Sequence, residues 1–186
     1  WWHPPHGAGV RTRITDDLLW LPYVLAEYLE VTGDWSVCGE KTCYLESPPL
    51  REGERERYET PRCSEREDTV YRHALAAIRC AVERGAGSHG LALIGGGDWN
   101  DGMNRVGAGG RGESVWLTWF LALVLRKFAP VCRHMEEPQL AEELLGRAEG
   151  YRKAAEAAWD GNWYRRGYYD DGTPLGSRES DQCQID

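Results

Sequence analysis

The sequence has no C-x-x-C pair and no His-x-x-x-His spacing, so it does not present the ligand set of a structural zinc site. It also lacks a Gly-x-Ser-x-Gly nucleophile elbow, a phosphate-cradling Gly-x-x-x-x-Gly-Lys loop and a dinucleotide fingerprint. Gly107-Ala108-Gly109-Gly110-Arg111-Gly112 shares only the composition of such loops. Positive charge is scarce: 22 Lys plus Arg stand against 30 Asp plus Glu, a net charge of -8. An acidic surface repels phosphate backbones, and nucleic-acid binding is disfavoured. Long apolar runs are missing too. The longest, Val115 to Leu125, stops at Arg126 and Lys127, short of the about 20 residues a bilayer span needs, and reads as a core helix. No basic-then-apolar leader is visible, so nothing reads as a secretion signal, and a cytoplasmic location is expected.

What is present is enough for one core: 186 residues, 41% of them hydrophobic, predict a single domain. The cysteines Cys38, Cys43, Cys63, Cys80, Cys132 and Cys183 are expected to be reduced structural thiols, because a chain this large and apolar needs no disulfide framework. Nine Trp and nine Tyr, several flanked by Asp, Asn, Gly and Arg, suit a carbohydrate cleft, where rings cover the apolar faces of sugars and polar neighbours bond the hydroxyls. The plainer reading is that large rings fill a core, and it is the one expected for Trp116 and Trp119.

Along the chain, Thr15 caps a predicted helix whose first turn holds Asp16 and Asp17 and which runs to about Thr32, with Gly33 as terminator. Pro22 predicts either a kink or a start near residue 21. Residues 46–63, rich in Pro, Glu and Arg, read as an exposed connection. Ser64-Glu65-Arg66-Glu67 has the pattern of a capping box, followed by a helix with Val70, Ala74, Ala77, Ile78, Ala81 and Val82 on one face, ending at Gly85. Residues 85–112 form a long glycine-rich stretch, interrupted by Leu91-Ala92-Leu93-Ile94, of a length that usually carries function. A helix from about Glu113 to Phe128 is stopped by Pro130, and another opens at Pro138 and runs to about Ala158. Residues 162–176 alternate aromatic and polar around Asp170-Asp171-Gly172, as a hairpin or extended loop does.

The chemistry concentrates in Gly95-Gly96-Gly97-Asp98-Trp99-Asn100-Asp101-Gly102-Met103-Asn104, where glycines let a backbone pass close to a ligand beside carboxylates, carboxamides and a Trp. Asx residues beside Gly are also ordinary turn formers. A second cluster, His3-Pro4-Pro5-His6 with Arg11-Thr12-Arg13 and Asp16-Asp17, offers a donor fork and double acceptors for hydroxyls. Its alternative is a capped helix with Arg11 paired to the aspartates. Glu113-Ser114 is a third candidate, though Glu is common at helix starts for dipole reasons.

Trp1-Trp2-His3-Pro4-Pro5, Arg11-Thr12-Arg13 with Asp16-Asp17-Leu18-Leu19-Trp20-Leu21-Pro22, Gly97-Asp98-Trp99-Asn100-Asp101-Gly102-Met103-Asn104 and Gly112-Glu113-Ser114-Val115-Trp116 resemble the catalytic domain of glycoside hydrolase family 94. The likeness covers nearly the whole chain and is nearest to the family's cyclic β-1,2-glucan synthase branch. The resemblance implies an all-α fold, part of an (α/α)6 barrel with long functional loops, with the rest of the barrel and an N-terminal β-sandwich outside residues 1–186. It implies Asp101 as general acid, with Arg11, Asp17, Trp99, Asp98, Asn100, Asn104 and Glu113 as substrate-binding residues. It implies no metal and no cofactor. Inorganic phosphate would be the co-substrate, and a β-glucan oligosaccharide and α-glucose 1-phosphate the partners. As a fragment the chain is expected to have little or no activity alone. An inverting hydrolase and a non-catalytic glucan-binding module stay open as alternatives.

Overall fold

The computed structural model describes residues 2–180 and Gln182, with Trp2 and Asp101 described by their backbone alone. Among these, the order is β1 (Trp2–His3), β2 (Ala8–Arg11), α1 (Trp20–Thr32), β3 (Lys41–Glu46), β4 (Arg57–Glu59), β5 (Arg62–Thr69), α2 (Val70–Glu83), β6 (Glu113–Ser114), α3 (Val115–His134), α4 (Pro138–Glu156), β7 (Gly167–Tyr168) and β8 (Pro174–Leu175). The protein is therefore mixed α and β. The all-α expectation, part of an (α/α)6 barrel, is overturned by three small antiparallel sheets, ordered β1-β2-β4, β3-β5 and β6-β7-β8.

The core is built on α3. Leu117, Leu121, Val124, Leu125, Phe128 and Cys132 are buried on it, and they meet Leu25 and Leu29 of α1, Tyr71, Leu75 and Ile78 of α2, and Ala141, Leu144 and Ala148 of α4. Each fully buried large aliphatic or aromatic side chain contributes about 1.5–3 kcal/mol. The Tyr71 and Phe128 rings stack at 5.8 Å. By length and hydropathy α3 could cross a bilayer, but two thirds of its apolar window is covered by the rest of the protein, as a core helix is. Trp116 is half-buried against this core, and Trp119 packs on a smaller cluster with Leu91 and Val115.

Two helix boundaries follow the sequence closely. Helix α1 starts at Trp20, so Pro22 sits in the first turn, where its missing N–H costs nothing. Pro138 likewise opens α4, whose Ala141, Leu144, Ala148 and Tyr151 face inward. Helix α3 corrects the expectation of a stop at Pro130: it continues to His134. Arg126 and Pro130 are both exposed, so the carbonyl that proline leaves without a partner faces water, while Val131 and Cys132 keep the next turn in the core.

The connection expected over residues 46–63 is in part strand. Strand β4 pairs with β2, Arg11 opposite Arg57, and β5 pairs with β3 from Thr69 opposite Lys41 to Arg62 opposite Glu46. The capping box at Ser64–Glu67 is not formed. Those residues lie in β5, and the true N-cap of α2 is Thr69, whose side chain accepts from Arg72 N. Cys43 and Cys63 are joined in a disulfide across β3 and β5, correcting the expectation of reduced thiols for that pair; Cys38, Cys80 and Cys132 are free among the described residues, and Cys183 lies outside them. The hairpin expected around Asp170-Asp171-Gly172 is present as β7 and β8.

Candidate functional site

The segment before α1 and the glycine-rich loop are zipped together by backbone. Ile14 and Gly95 form an antiparallel bridge, Gly96 N donates to Arg13 O at 3.1 Å and Thr15 N to Gly97 O at 3.3 Å. Gly95 has φ +62°, and a Cβ there would lie 2.9 Å from Arg13 O, so only glycine allows this approach. Arg84, at the end of α2, locks the seam from beneath by donating to Arg13 O at 3.1 Å and Thr15 Oγ1 at 2.5 Å. Burial lowers the Arg84 pKa.

Two cavities open on this seam. The larger, about 1020 Å³, is lined by Thr12, Arg13, Arg84, Asn104, the glycines Gly95, Gly96, Gly107 and Gly110, and residues 52–56. The smaller, about 420 Å³, is lined by Asp17, Trp20, Val10 and Leu18. Both share Thr12, Ile14 and Arg84, so the two cavities adjoin and form a grooved face along the seam.

The structure brings some of the expected site residues here and not others. Asp17 is exposed in the smaller cavity and accepts from the Thr12 hydroxyl; Asn104 is half-buried in the larger one. Arg11 is exposed and turned to Ser47, donating to its carbonyl at 3.1 Å and its hydroxyl at 2.5 Å. Asn100 caps the turn Asp101–Met103 by accepting from Gly102 N. Trp99 is 57% exposed, its ring 6.0 Å from that of Trp116. The Asp101 side chain lies outside the described residues.

Asp98 and Glu113 are instead buried struts. Arg166 Nη2 donates to both Asp98 oxygens at 2.6 and 2.7 Å, Ser114 Oγ to Oδ2 at 2.7 Å and Asn100 N to Oδ1 at 3.1 Å. Ser114 also caps α3 by accepting from Leu117 N at 3.0 Å. Glu113 accepts from His89 N at 3.0 Å and Leu91 N at 3.2 Å, and its Oε2 lies 2.5 Å from His89 Nδ1. Its placement is that of a fold residue, not a helix-dipole partner.

One residue was missed, and another has an environment the sequence does not reveal. Asp170, at the hairpin tip, accepts from Gly109 N, Arg111 N and Gly112 N at 2.6–2.9 Å and so shapes the loop rim. Burial alone would raise its carboxyl, but these three donors hold it below its ordinary range. The hairpin signal places Asp170 in a turn, and nothing local tells of the distant glycines. Asp16, weighed both as a hydroxyl acceptor and as a cap, is 3% exposed; Oδ2 accepts from Trp20 Nε1 at 3.0 Å and Oδ1 has no hydrogen-bond partner among the described residues. Burial, and then the nearby Asp17 and Asp98 charges, raise its pKa above the ordinary 3.8, while the Trp20 bond works the other way. Among the described residues no group of three or more His, Cys, Asp and Glu could hold a metal ion.

Glycines, arginines and carboxylates line these cavities and an exposed indole stands in the adjoining loop, groups able to bond and cover a polyhydroxylated ligand, as in a carbohydrate-active protein. Residues 4–186 match the family model of the Glycosyl hydrolase 94 superfamily, catalytic domain, and the chain belongs to that family. It is 46% identical to the cyclic beta-(1,2)-glucan synthase of Rhizobium meliloti, over 100% of this chain and 7% of that protein. It is 34% identical to the solabiose phosphorylase of Paenibacillus borealis, over 92% of this chain and 20% of that enzyme. It is 35% identical to the cellobionic acid phosphorylase of Neurospora crassa, over 92% of this chain and 19% of that enzyme. The chain thus spans a fifth or less of the length of these relatives.

Proposed function

We propose that this chain supplies the sugar-binding and proton-donating part of an inverting glycoside phosphorylase, or of the reverse synthesis, acting on β-glucosidic oligosaccharides. The observation that carries it is the seam between Arg13–Thr15 and Gly95–Gly97, which joins the segment bearing Asp17 to the loop bearing Asp98–Asn104 at one groove. Its membership of the family and the phosphorylases among its relatives support the reaction class.

In this reading Asp101 gives its proton to the glycosidic oxygen as the bond from that oxygen to the anomeric carbon breaks. An oxygen of inorganic phosphate, already anionic, attacks the anomeric carbon from the opposite face and forms an α-sugar 1-phosphate with inversion. One carboxyl group suffices, whereas an inverting hydrolase needs a second to activate water. In synthesis the same carboxylate takes the proton of the acceptor hydroxyl. Asp17 and Arg11 hold the transferred glucosyl unit, Arg11 after leaving Ser47, and Trp99 offers it an apolar face. Asp98 acts by fixing the loop, through Arg166 and Ser114, not by touching sugar.

The test uses the full-length protein that carries this chain. With a β-linked gluco-oligosaccharide and phosphate it is expected to release α-glucose 1-phosphate. Asp101→Asn is expected to lower turnover by on the order of 10²–10⁴-fold while oligosaccharide binding is kept. Turnover at the same rate in phosphate-free buffer would establish a hydrolase, and full activity in Asp101→Asn would remove the acid assignment.

A further inference from the structure

The excursion between β3 and β5 forms a flap over the larger cavity. Its backbone is held by two arginines. Arg13 donates to the carbonyls of Leu50, Arg51 and Glu54 at 2.9–3.3 Å, and Arg57 donates to those of Pro48 and Pro49 at 3.2 and 3.0 Å. Glu54 is spent inside the flap, pairing with Arg57 Nε at 2.9 Å and accepting from Arg51 N at 2.7 Å. The β2–β4 pairing and the Cys43–Cys63 disulfide fix its two ends. A loop this well tied is a wall, not a free tether.

Three charged side chains on that wall are left over. Glu52, Arg55 and Glu56 line the cavity, are exposed, and make no hydrogen bond or ion pair among the described residues. Asn104, Gly107 and Gly110 line the same cavity. Two free carboxylates beside one free guanidinium repel a lone anion but satisfy paired hydroxyls, as acceptors and donor fork. The cavity is at the upper end of the roughly 300–1,000 Å³ typical of small-molecule sites, larger than one sugar ring needs. Asp17 lies not in this cavity but in the adjoining one, the two sharing Thr12, Ile14 and Arg84.

We infer that the flap residues Glu52, Arg55 and Glu56 form the binding wall for the part of a neutral oligosaccharide remote from Asp17, and so set which chain is accepted. This rests on the reading of the Asp17 end as the holder of the transferred glucosyl unit.

The test compares the full-length protein with the triple variant Glu52→Ala, Arg55→Ala, Glu56→Ala. The KM for a β-1,2-linked gluco-oligosaccharide should rise about tenfold or more, the loss of at least about one hydrogen bond to a charged group, while kcat and the KM for α-glucose 1-phosphate in synthesis stay within about twofold. An unchanged oligosaccharide KM overturns the inference, as does an equal rise for α-glucose 1-phosphate. Calorimetric titration of the same oligosaccharide reads the flap apart from the reaction. Should the protein prove not to phosphorolyse anything, binding about tenfold weaker in the triple variant still supports the wall, and equal binding removes it. Glu52→Gln with Glu56→Gln, which keeps side-chain shape and acceptor oxygens, is expected to recover part of the affinity.

Discussion

The two sides of the groove treat their buried and half-buried carboxylates differently. On the glycine-loop side Asp98 and Asp170 are saturated: Asp98 by Arg166, Ser114 and Asn100, Asp170 by three backbone N–H groups. On the side of the segment before α1, Asp16 is almost as buried as Asp98 yet has one oxygen bonded and one without a partner among the described residues, with other carboxylates as neighbours. Saturated carboxylates fix backbone geometry. A half-satisfied one stores cost that folding tolerates only because its surroundings are held elsewhere. The glycine-loop side is thus the frame, and the Asp16 side is where electrostatic strain sits.

The sharpest way to break this contrast is Asp98→Ala. It strands the Arg166 guanidinium in a nearly closed site and removes a partner of the α3 cap, so the expected loss is about 3–5 kcal/mol in urea denaturation. A double-mutant cycle with Arg166→Met should recover a large part of it, since two apolar replacements leave no orphan charge. A loss below about 1 kcal/mol would mean the clamp does not frame the loop.

Asp170→Ala comes next. Three backbone donors lose a charged acceptor, but at a half-exposed rim water replaces part of it, so about 2 kcal/mol is expected. Hydrogen exchange at Gly109, Arg111 and Gly112 should accelerate while α2 stays protected. Equal protection at those amides would show that the glycines hold the turn without the carboxylate.

Helical segments were legible where one face is apolar and the other is not. Ala74, Ile78 and Ala81 of α2 and Leu144, Ala148 and Tyr151 of α4 repeat at helical spacing because each helix buries one side. Strands β3 and β5 were not legible: Lys41–Glu46 and Arg62–Thr69 are largely exposed on both faces, so no alternation exists to read. The barrel expectation came from resemblance, and the sheets contradict it as a description of these residues. At the candidate site, local clustering singled out residues 95–104, because glycines and Asx residues concentrate there. It could not tell that Asp98 is a strut, since that depends on Arg166, 68 residues away. Asp16 beside Asp17 reads as a cap in either case; only burial separates the two.

Asp16→Asn has the smallest expected effect at neutral pH and the most informative pH dependence. A carboxyl whose folded pKa is raised contributes stability that is fully present below its unfolded value, near the ordinary 3.8, and lost as pH rises through the folded value. Asp170, held low, behaves oppositely: its contribution is present above the unfolded value and lost as pH falls through the folded one. Wild-type stability between neutral pH and acid therefore combines two opposed slopes. The amide keeps an acceptor for Trp20 Nε1 and carries no charge to desolvate, so at pH 7 Asp16→Asn should lie within about 1 kcal/mol of wild type, on the stabilising side. Its advantage should shrink as pH falls toward 4, because there the wild-type carboxyl becomes neutral as well. Denaturation midpoints at a series of pH values check this. A variant that is least stable at pH 7 and recovers in acid would show that the Asp16 charge is satisfied in the folded protein, and the contrast between the two sides of the groove would be gone.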